Sequence, residues 1–443
     1  MARLFILLGA AVATLSCASA RPSVDAPLPD RILSATGAAS RIHSSGLAEL
    51  PPTVDTRDGL TSDEAVATAL WNNGAFQVTL SQLGFARADL VDAGMLTNPV
   101  LSLLFPLGPK QFEANLLWPI AALWERPKRR AAAQLALEAT AGSLVQSGLD
   151  LALAVRLSHA DYALAIDRQR LATETAAALE RIDSLSQSRL AAGDIGALEA
   201  RVARVDAARG RQDADRVAHD VRLARERLRL LLGLAADDAA VDRIQASPPP
   251  DACGPAADLL PRALAARPDV RAAEIAVEAA AARLGWEHRR VLTFTAILDA
   301  NGQGTQGFEA GPGVDFGLPI FNRNQGGRLR AETELQRASA AYVAIQQQVG
   351  LDVREAVTLL DQAHESRTAW RTTLVTPLEA NLADAEDAYR AGDSSFLFVL
   401  ENSRRLIEAR LRERELAADE TRALARIERA TGAKCAPPAG GLR

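Results

Sequence analysis

The side chains able to do covalent or metal chemistry are few and widely separated. His43, His159, His219, His288 and His364 are scattered without partners, and no cluster has metal-ligand spacing. No G-x-S-x-G, Walker or H-E-x-x-H pattern occurs, so a serine hydrolase, a nucleotide-binding loop and a zinc peptidase all lack a motif. The residues therefore read as no enzyme, with no cofactor and no resident metal. Three cysteines remain, Cys17, Cys253 and Cys435. Cys253 and Cys435 each lie just beyond a long helix, in matching places of an internal repeat. In an oxidising compartment they are expected to pair as a disulfide, with two isolated thiols as the alternative.

The elements that must carry this chain are helical. Hydrophobic residues make up 48% of 443 and charged ones 24%, enough for a core, while aromatics at 4% are too few for a protein built mainly of sandwiches or propellers. The formal net charge of −5 disfavours a nucleic-acid partner. Lysine occurs only at positions 110, 128 and 434, so the basic residues are almost all arginine.

Residues 1–20 read as a secretory signal: Arg3, an apolar run from Phe5 to Leu15, then small residues. Two processing schemes fit. Ala18-Ser19-Ala20 suits release before Arg21, and Thr14-Leu15-Ser16-Cys17 resembles a lipoprotein box that would lipidate Cys17. No later run of about 18 apolar residues predicts a membrane helix.

An internal repeat organises the rest. Ala192-Gly193-Asp194 recurs as Ala391-Gly392-Asp393, and Gly233 recurs as Gly432, both 199 residues on. Trp118-Pro119-Ile120 recurs as Leu318-Pro319-Ile320. So long a period describes two copies of one large unit. Residues 21–58 read as an extended arm. Copy one spans 59–246: a helix over 62–93, a β-hairpin at 96–121, a long helix over 128–192, a turn at 193–196, and a helix to 233. A proline-rich linker at 247–255 follows. Copy two spans 256–434: a helix to 289 broken by Pro261 and Pro268, a hairpin at 290–321, a long helix over 324–391, a turn at 392–394, and a helix to 432. Residues 435–443 form a tail.

Each long helix would reach roughly 95–100 Å at 1.5 Å per residue, which no compact domain needs. Their apolar positions, among them Leu137, Leu144, Leu151, Leu171 and Leu179, alternate with alanine and charge, as in helices packed side by side with one face in water. At the turns, Gly193 and Gly392 supply the backbone freedom a reversal requires. Asp194 and Asp393 follow as candidate caps of the returning helices.

The hairpins argue against a plain helical rod. Phe112, Ala114, Leu116, Trp118 and Ile120 alternate with Gln111, Glu113 and Asn115. The stretches 292–301 and 308–320 alternate in the same way, the first strand, 96–105, less cleanly. A period of two over about ten residues is the length and pattern of a membrane β-strand. Four strands cannot close a barrel and an open edge cannot face lipid, so several chains must pool them. Trp118 and Phe321, near strand ends, are candidate interface anchors, with core packing the competing role.

These residues carry a resemblance to the outer membrane factor family, the TolC-like efflux proteins of Gram-negative bacteria. The matching stretches are Leu60-Thr61-Ser62-Asp63-Glu64-Ala65-Val66, Arg189 to Ile195, Arg267-Pro268-Asp269-Val270, Leu318-Pro319-Ile320-Phe321 and Tyr389-Arg390-Ala391-Gly392-Asp393. The Ala192 to Glu199 stretch is most similar to the heavy-metal, CzcC-like branch.

The resemblance implies a mainly α fold with a small membrane β part. Four strands per chain would join in a homotrimer as a 12-stranded β-barrel above a periplasmic α-barrel. It further implies an outer-membrane duct of a tripartite efflux system, carrying metal cations or small toxic molecules. An inner-membrane transporter drives such systems through a periplasmic adaptor that meets the tips at Gly193, Asp194, Gly392 and Asp393. By position, Glu401 matches a gate carboxylate and Phe398 replaces another. Glu199 is the analogous acid on the other tip, and Tyr389 matches a tyrosine that holds the entrance closed. The alternatives are a periplasmic coiled-coil scaffold or adaptor, or the duct of a type I protein secretion system.

Overall fold

The computed structural model describes residues 27–40, 48–107, 112–234, 241–245, 256–291, 293–302 and 307–432. The leader, Cys17, the linker, the tail and the pairing of Cys253 with Cys435 lie outside the described residues. Helix α1 (Pro27–Thr36) precedes the first copy, which runs α2 (Ser62–Asn72), α3 (Gly74–Leu80), α4 (Gln82–Gly94), β1 (Val100–Leu104), β2 (Phe112–Pro119), α5 (Ala121–Ala192) and α6 (Ala197–Leu232). The second copy runs α7 (Ala256–Ala266), α8 (Pro268–Glu287), β3 (Phe294–Gly302), β4 (Phe308–Phe316), α9 (Gln325–Trp370), a π-turn (Arg371–Val375), α10 (Thr376–Ala391) and α11 (Phe396–Thr431).

Five expectations are corrected. The 21–58 segment is not simply an extended arm: α1 is helical and buries Leu28 and Ile32 among Leu70, Phe76 and Leu144, a hydrophobic contact that outweighs its weak sequence period. The helix expected over 62–93 is three helices. Asn73 leaves helical geometry because its amide caps Phe76 N–H at 2.9 Å and donates to Leu231 O at 2.8 Å. In the second copy the corresponding break falls at Arg267 alone, while Pro261 is accommodated inside α7.

The long helices differ from each other as well as from expectation. Helix α5 begins earlier, at Ala121, and takes Pro127 into its second turn, where the missing N–H costs one bond and not the helix. The segment over 324–391 is not one uninterrupted helix, since Pro377 lies within it. Pro377 cannot donate back to the preceding turn, and the backbone widens into the π-turn just before it.

The core follows the repeat. One cluster joins α1, α2, α3, α5 and α6 through Ile32, Val66, Leu70, Val155 and Leu228. A second joins α7, α8, α9 and α11 through Leu259, Val270, Val349, Val353 and Ile427. Helix α5 packs on α6, α8 and α11, so it binds the copies together. Ion pairs line that seam: Arg422 to Asp161 at 2.6 Å and Arg429 to Asp150 at 2.8 Å.

The strands form one antiparallel sheet in the order β1-β2-β3-β4. The two hairpins thus sit side by side through β2 and β3, with Leu116 opposite Leu298. Strands β1 and β4 are both edges.

Candidate functional site

The register sorts the sheet into two unlike faces, because directly opposed residues share a face. Leu101, Leu116, Leu298 and Pro312 form one row, and Leu103, Ala114, Ala300 and Ala310 the next. Trp118, Ala296 and Val314 follow, then Phe294 with Phe316. That face is wholly apolar, yet Leu101, Leu103, Leu298, Val314 and Phe316 are exposed. The opposite face is mixed: it carries all the strand acids and amides, Glu113, Asn115, Asp299, Asn301, Glu309 and Asp315, beside Val100, Leu104, Leu117 and Ile297, with no basic side chain on any strand. Asn301 donates to Asp299 at 2.6 Å and Asn115 to Glu113 at 3.2 Å, which orders these polar groups.

Aromatic rings mark both ends of the apolar face. At the end joined to the helices, Trp124 meets Phe294 edge-on at 5.7 Å and Phe294 stacks on Phe316 at 6.4 Å. At the far end Phe105 meets Phe112 at 5.7 Å. Trp118 and Phe321 both stay exposed near the helical end, so neither is a core residue. Interfacial aromatics at both rims are the pattern of a membrane barrel wall.

The turns at the other pole are built as expected, with one correction. Gly193 (φ 82°) and Gly392 (φ 84°) take the left-handed conformation that ends α5 and α10. Asp194 N–H donates to Arg189 O, and Asp393 N–H to Ala388 O, each at 2.9 Å. Both aspartates thus close the ending helix through their backbone. They do not cap the returning one: Gly196 and Ser395 hold those positions, and Ser395 Oγ accepts from Phe398 N–H at 3.3 Å. Two residues separate the left-handed glycine from the next helix start, which carries each aspartate past capping reach.

The gate candidates are only partly brought together. Tyr389 packs against Phe396 at 5.5 Å, an aromatic partner that the sequence reading missed although it stands two residues before Phe398. Phe398 itself is 54% exposed. Glu401 is tied to its own helix, accepting from Arg404 at 3.0 Å and lying 3.7 Å from Arg405. The hydrogen bond that Arg404 donates to Glu401, working against partial burial, holds its guanidinium more firmly protonated. Glu199 is exposed in the first turn of α6, where the helix dipole favours an acid. Between α5, α6 and α11 runs a groove of about 580 Å³ lined by Asp206, Arg209, Arg404, Glu408 and Glu415. Spacing along one helix marks the Glu401 and Arg404 pair, but only packing shows the groove beside it.

Among the described residues, no helix is long and apolar enough to cross a membrane, and no group of three or more His, Cys, Asp or Glu could hold a metal ion. Residues 259–433 match the family model of the outer membrane efflux protein. The second copy is an outer membrane efflux protein domain. Beyond this efflux domain, the cobalt-zinc-cadmium resistance protein CzcC of Cupriavidus metallidurans is 26% identical over 378 residues, 84% of this chain and 90% of that protein.

Two crystal structures share the fold of both copies. A membrane protein from Pseudomonas aeruginosa aligns with a TM-score of 0.68 at 21% identity, over 89% of this chain and 99% of that one. CusC, described for its folding and transmembrane channel formation, aligns at 0.67 and 20% identity, over 89% and 98%. The efflux protein domain therefore sits in a chain with the fold of TolC-like outer-membrane channels. Family domain, relative and fold point to one class, efflux channels of the CzcC and CusC type.

Proposed function

We propose that three copies of this chain form a passive exit duct through the outer membrane. The observation that carries this reading is the sheet: one exposed apolar face, one acid-bearing face, and two edges whose backbone groups need partners. With β1 and β4 antiparallel in sequence along the sheet, β4 of one copy can pair with β1 of the next. Three copies then close a 12-stranded wall with the acids inside and the aromatic rims at the interfaces. The helices continue the tube into the periplasm.

The turns at Gly193 and Gly392 then lie farthest from the membrane, where a periplasmic adaptor linked to an inner-membrane transporter would dock. Tyr389, Phe398, Glu401 and Glu199 stand near this entrance as gate residues. The relative's name supports divalent metal cations as cargo, with small toxic molecules as the wider class. A soluble scaffold is disfavoured by the exposed apolar sheet.

The test is twofold. Purified from membranes in detergent, the chain should run as a heat-modifiable trimer and conduct ions in planar bilayers. A lone, detergent-free monomer would end the reading. Deletion of its gene should sensitise cells to cobalt, zinc or cadmium, and sensitisation to dyes or antibiotics alone would redirect the cargo.

A further inference from the structure

The junction of the helices with the sheet is rich in arginine. Along the shaft many arginines are paired, Arg170 with Asp167 and Glu174, Arg422 with Asp161 and Asp419, Arg404 with Glu401 and Glu408, while exposed Arg181, Arg201, Arg209, Arg227 and Arg354 have no carboxylate at ion-pair distance among the described residues. At the junction, Arg126 and Arg130 at the start of α5, Arg289 beyond the end of α8, and Arg328 and Arg330 at the start of α9 are exposed. None of these five has a carboxylate within ion-pair distance among the described residues.

Several acids at the same height are engaged. Glu287 is buried and accepts from Asn324 at 2.6 Å, Glu334 holds Arg283 at 3.1 Å, and Glu332 faces His288 at 3.7 Å. Glu125, Asp89, Asp92 and Asp315 remain. A chain with net charge −5 thus gathers five arginines without ion-pair partners near the junction, as a collar.

That level is set by the neighbouring rings. Trp124 and the Phe294–Phe316 pair mark the helical end of the apolar face. Arg328 and Arg330 lie three and five residues into α9, roughly 5–8 Å of rise, and Arg126 and Arg130 roughly 8–14 Å into α5. The polar layer on one side of a bilayer is about 5–8 Å thick, and long basic side chains reach back toward it. Arg290 shows how such a residue lies against a ring, 5.5 Å from Trp286.

We propose that this collar binds the phosphates of anionic phospholipids in the periplasmic leaflet, seating the barrel at a fixed depth. The proposal rests on the membrane-barrel reading above. Unpaired guanidinium groups at headgroup height match phosphate in charge and in fork geometry.

The test uses the detergent-purified full chain, titrated with cardiolipin or with phosphatidylethanolamine and read by native mass spectrometry. The wild type should retain cardiolipin preferentially. The combined variant Arg126→Gln, Arg130→Gln, Arg328→Gln, Arg330→Gln should bind it at least about tenfold more weakly, and the matching Arg→Lys variant should keep most of the preference.

Undiminished cardiolipin binding by the glutamine variant overturns the proposal. So does equal displacement by inorganic phosphate, which would make the collar a free-anion site. Loss of the trimer in the glutamine but not the lysine variant also overturns it, by making the collar a subunit contact. Flotation with phosphatidylethanolamine vesicles separates the two readings. A chain that never inserts fails as a barrel, whereas one that inserts without lipid preference fails only the collar.

Discussion

Arg267 and Asp352 meet at 2.7 Å across 85 residues of chain, with the arginine side chain 1% exposed. The same guanidinium grips Asp269 at 2.6 Å, and Asp352 also accepts from Gln348 and Arg429. This explains the Arg267-Pro268-Asp269 stretch. A residue before proline avoids helical angles, so Arg267 (ψ 128°) breaks the chain between α7 and α8 and turns its side chain inward. The resulting network joins α8, α9 and α11, and through Arg429 and Asp150 it reaches α5.

Replacing Asp352 with Asn should cost about 2–3 kcal/mol, below the full penalty of stranding a buried charge because Asp269 still holds Arg267. Burial works to raise the Asp352 carboxyl, but hydrogen bonds from Arg267 and Gln348 and the charge of Arg429 hold it below its ordinary value. Its stabilisation is therefore complete above about pH 4 and declines as pH falls further. Denaturant melts at neutral and acid pH should show the two forms converging in acid.

His159 should give a second pH dependence at a higher value. It is buried on α5 with Nε2 2.9 Å from Leu60 O, and burial pushes its pKa down more than that contact raises it. Folding thus keeps the ring neutral while the unfolded chain takes a proton below about pH 6.5. Stability should fall as pH drops from there, by at most about 1.4 kcal/mol per pH unit. His159→Gln should flatten that slope; an unchanged slope would place its origin elsewhere.

The glycines separate docking from folding. A Cβ on Gly193 or Gly392 would meet nothing within 4 Å, whereas one on Gly233 would lie 2.6 Å from Asn72 O. Gly193→Val or Gly392→Val should cost roughly 1–2 kcal/mol of local backbone strain, leave trimers intact and abolish efflux. Gly233→Val should instead reduce the amount of folded chain. Efflux retained in the first two would remove the tips from docking.

The two sheet faces should respond oppositely. Leu298→Arg places a charge on the apolar face and should cost roughly 2–4 kcal/mol of membrane stability. Asp299→Asn lies one residue away on the acidic face and should leave insertion intact while lowering cation preference in bilayer recordings. Equal insertion of both variants would mean that the face pointing to lipid has been misassigned.

Because Glu401 is matched by Arg404 and Arg405, its removal should unmask positive charge at the entrance. Glu401→Ala is expected to shift single-channel selectivity toward anions, and the double variant with Arg404→Ala should restore part of the original ratio. No shift in either variant would leave Glu401 as an ordinary surface acid.

Much of this molecule was legible in residue order because its signals are local. Left-handed glycines and alternating strands each need only neighbours within a few positions. The paired offsets of Gly193 with Gly392 and Gly233 with Gly432 exposed the duplication for the same reason. The misreadings came where a distant contact overrode a local preference. Helix α1 is held by the core it covers, and the break at Asn73 by a carbonyl 158 residues away. Pro377, visible in the order of residues, acts through the preceding turns, which widen to receive it.

Residue order alone determined that the chain holds two copies of a long helical hairpin, each with two amphipathic strands, since periodicity and turn chemistry are written along the backbone. Only the tertiary structure decided which strand faces align into one apolar wall, that a groove between α5, α6 and α11 runs beside Arg404, and that Arg267 anchors three helices at once. Those outcomes depend on register, rotation and burial, which emerge from many weak contacts between segments far apart in the chain.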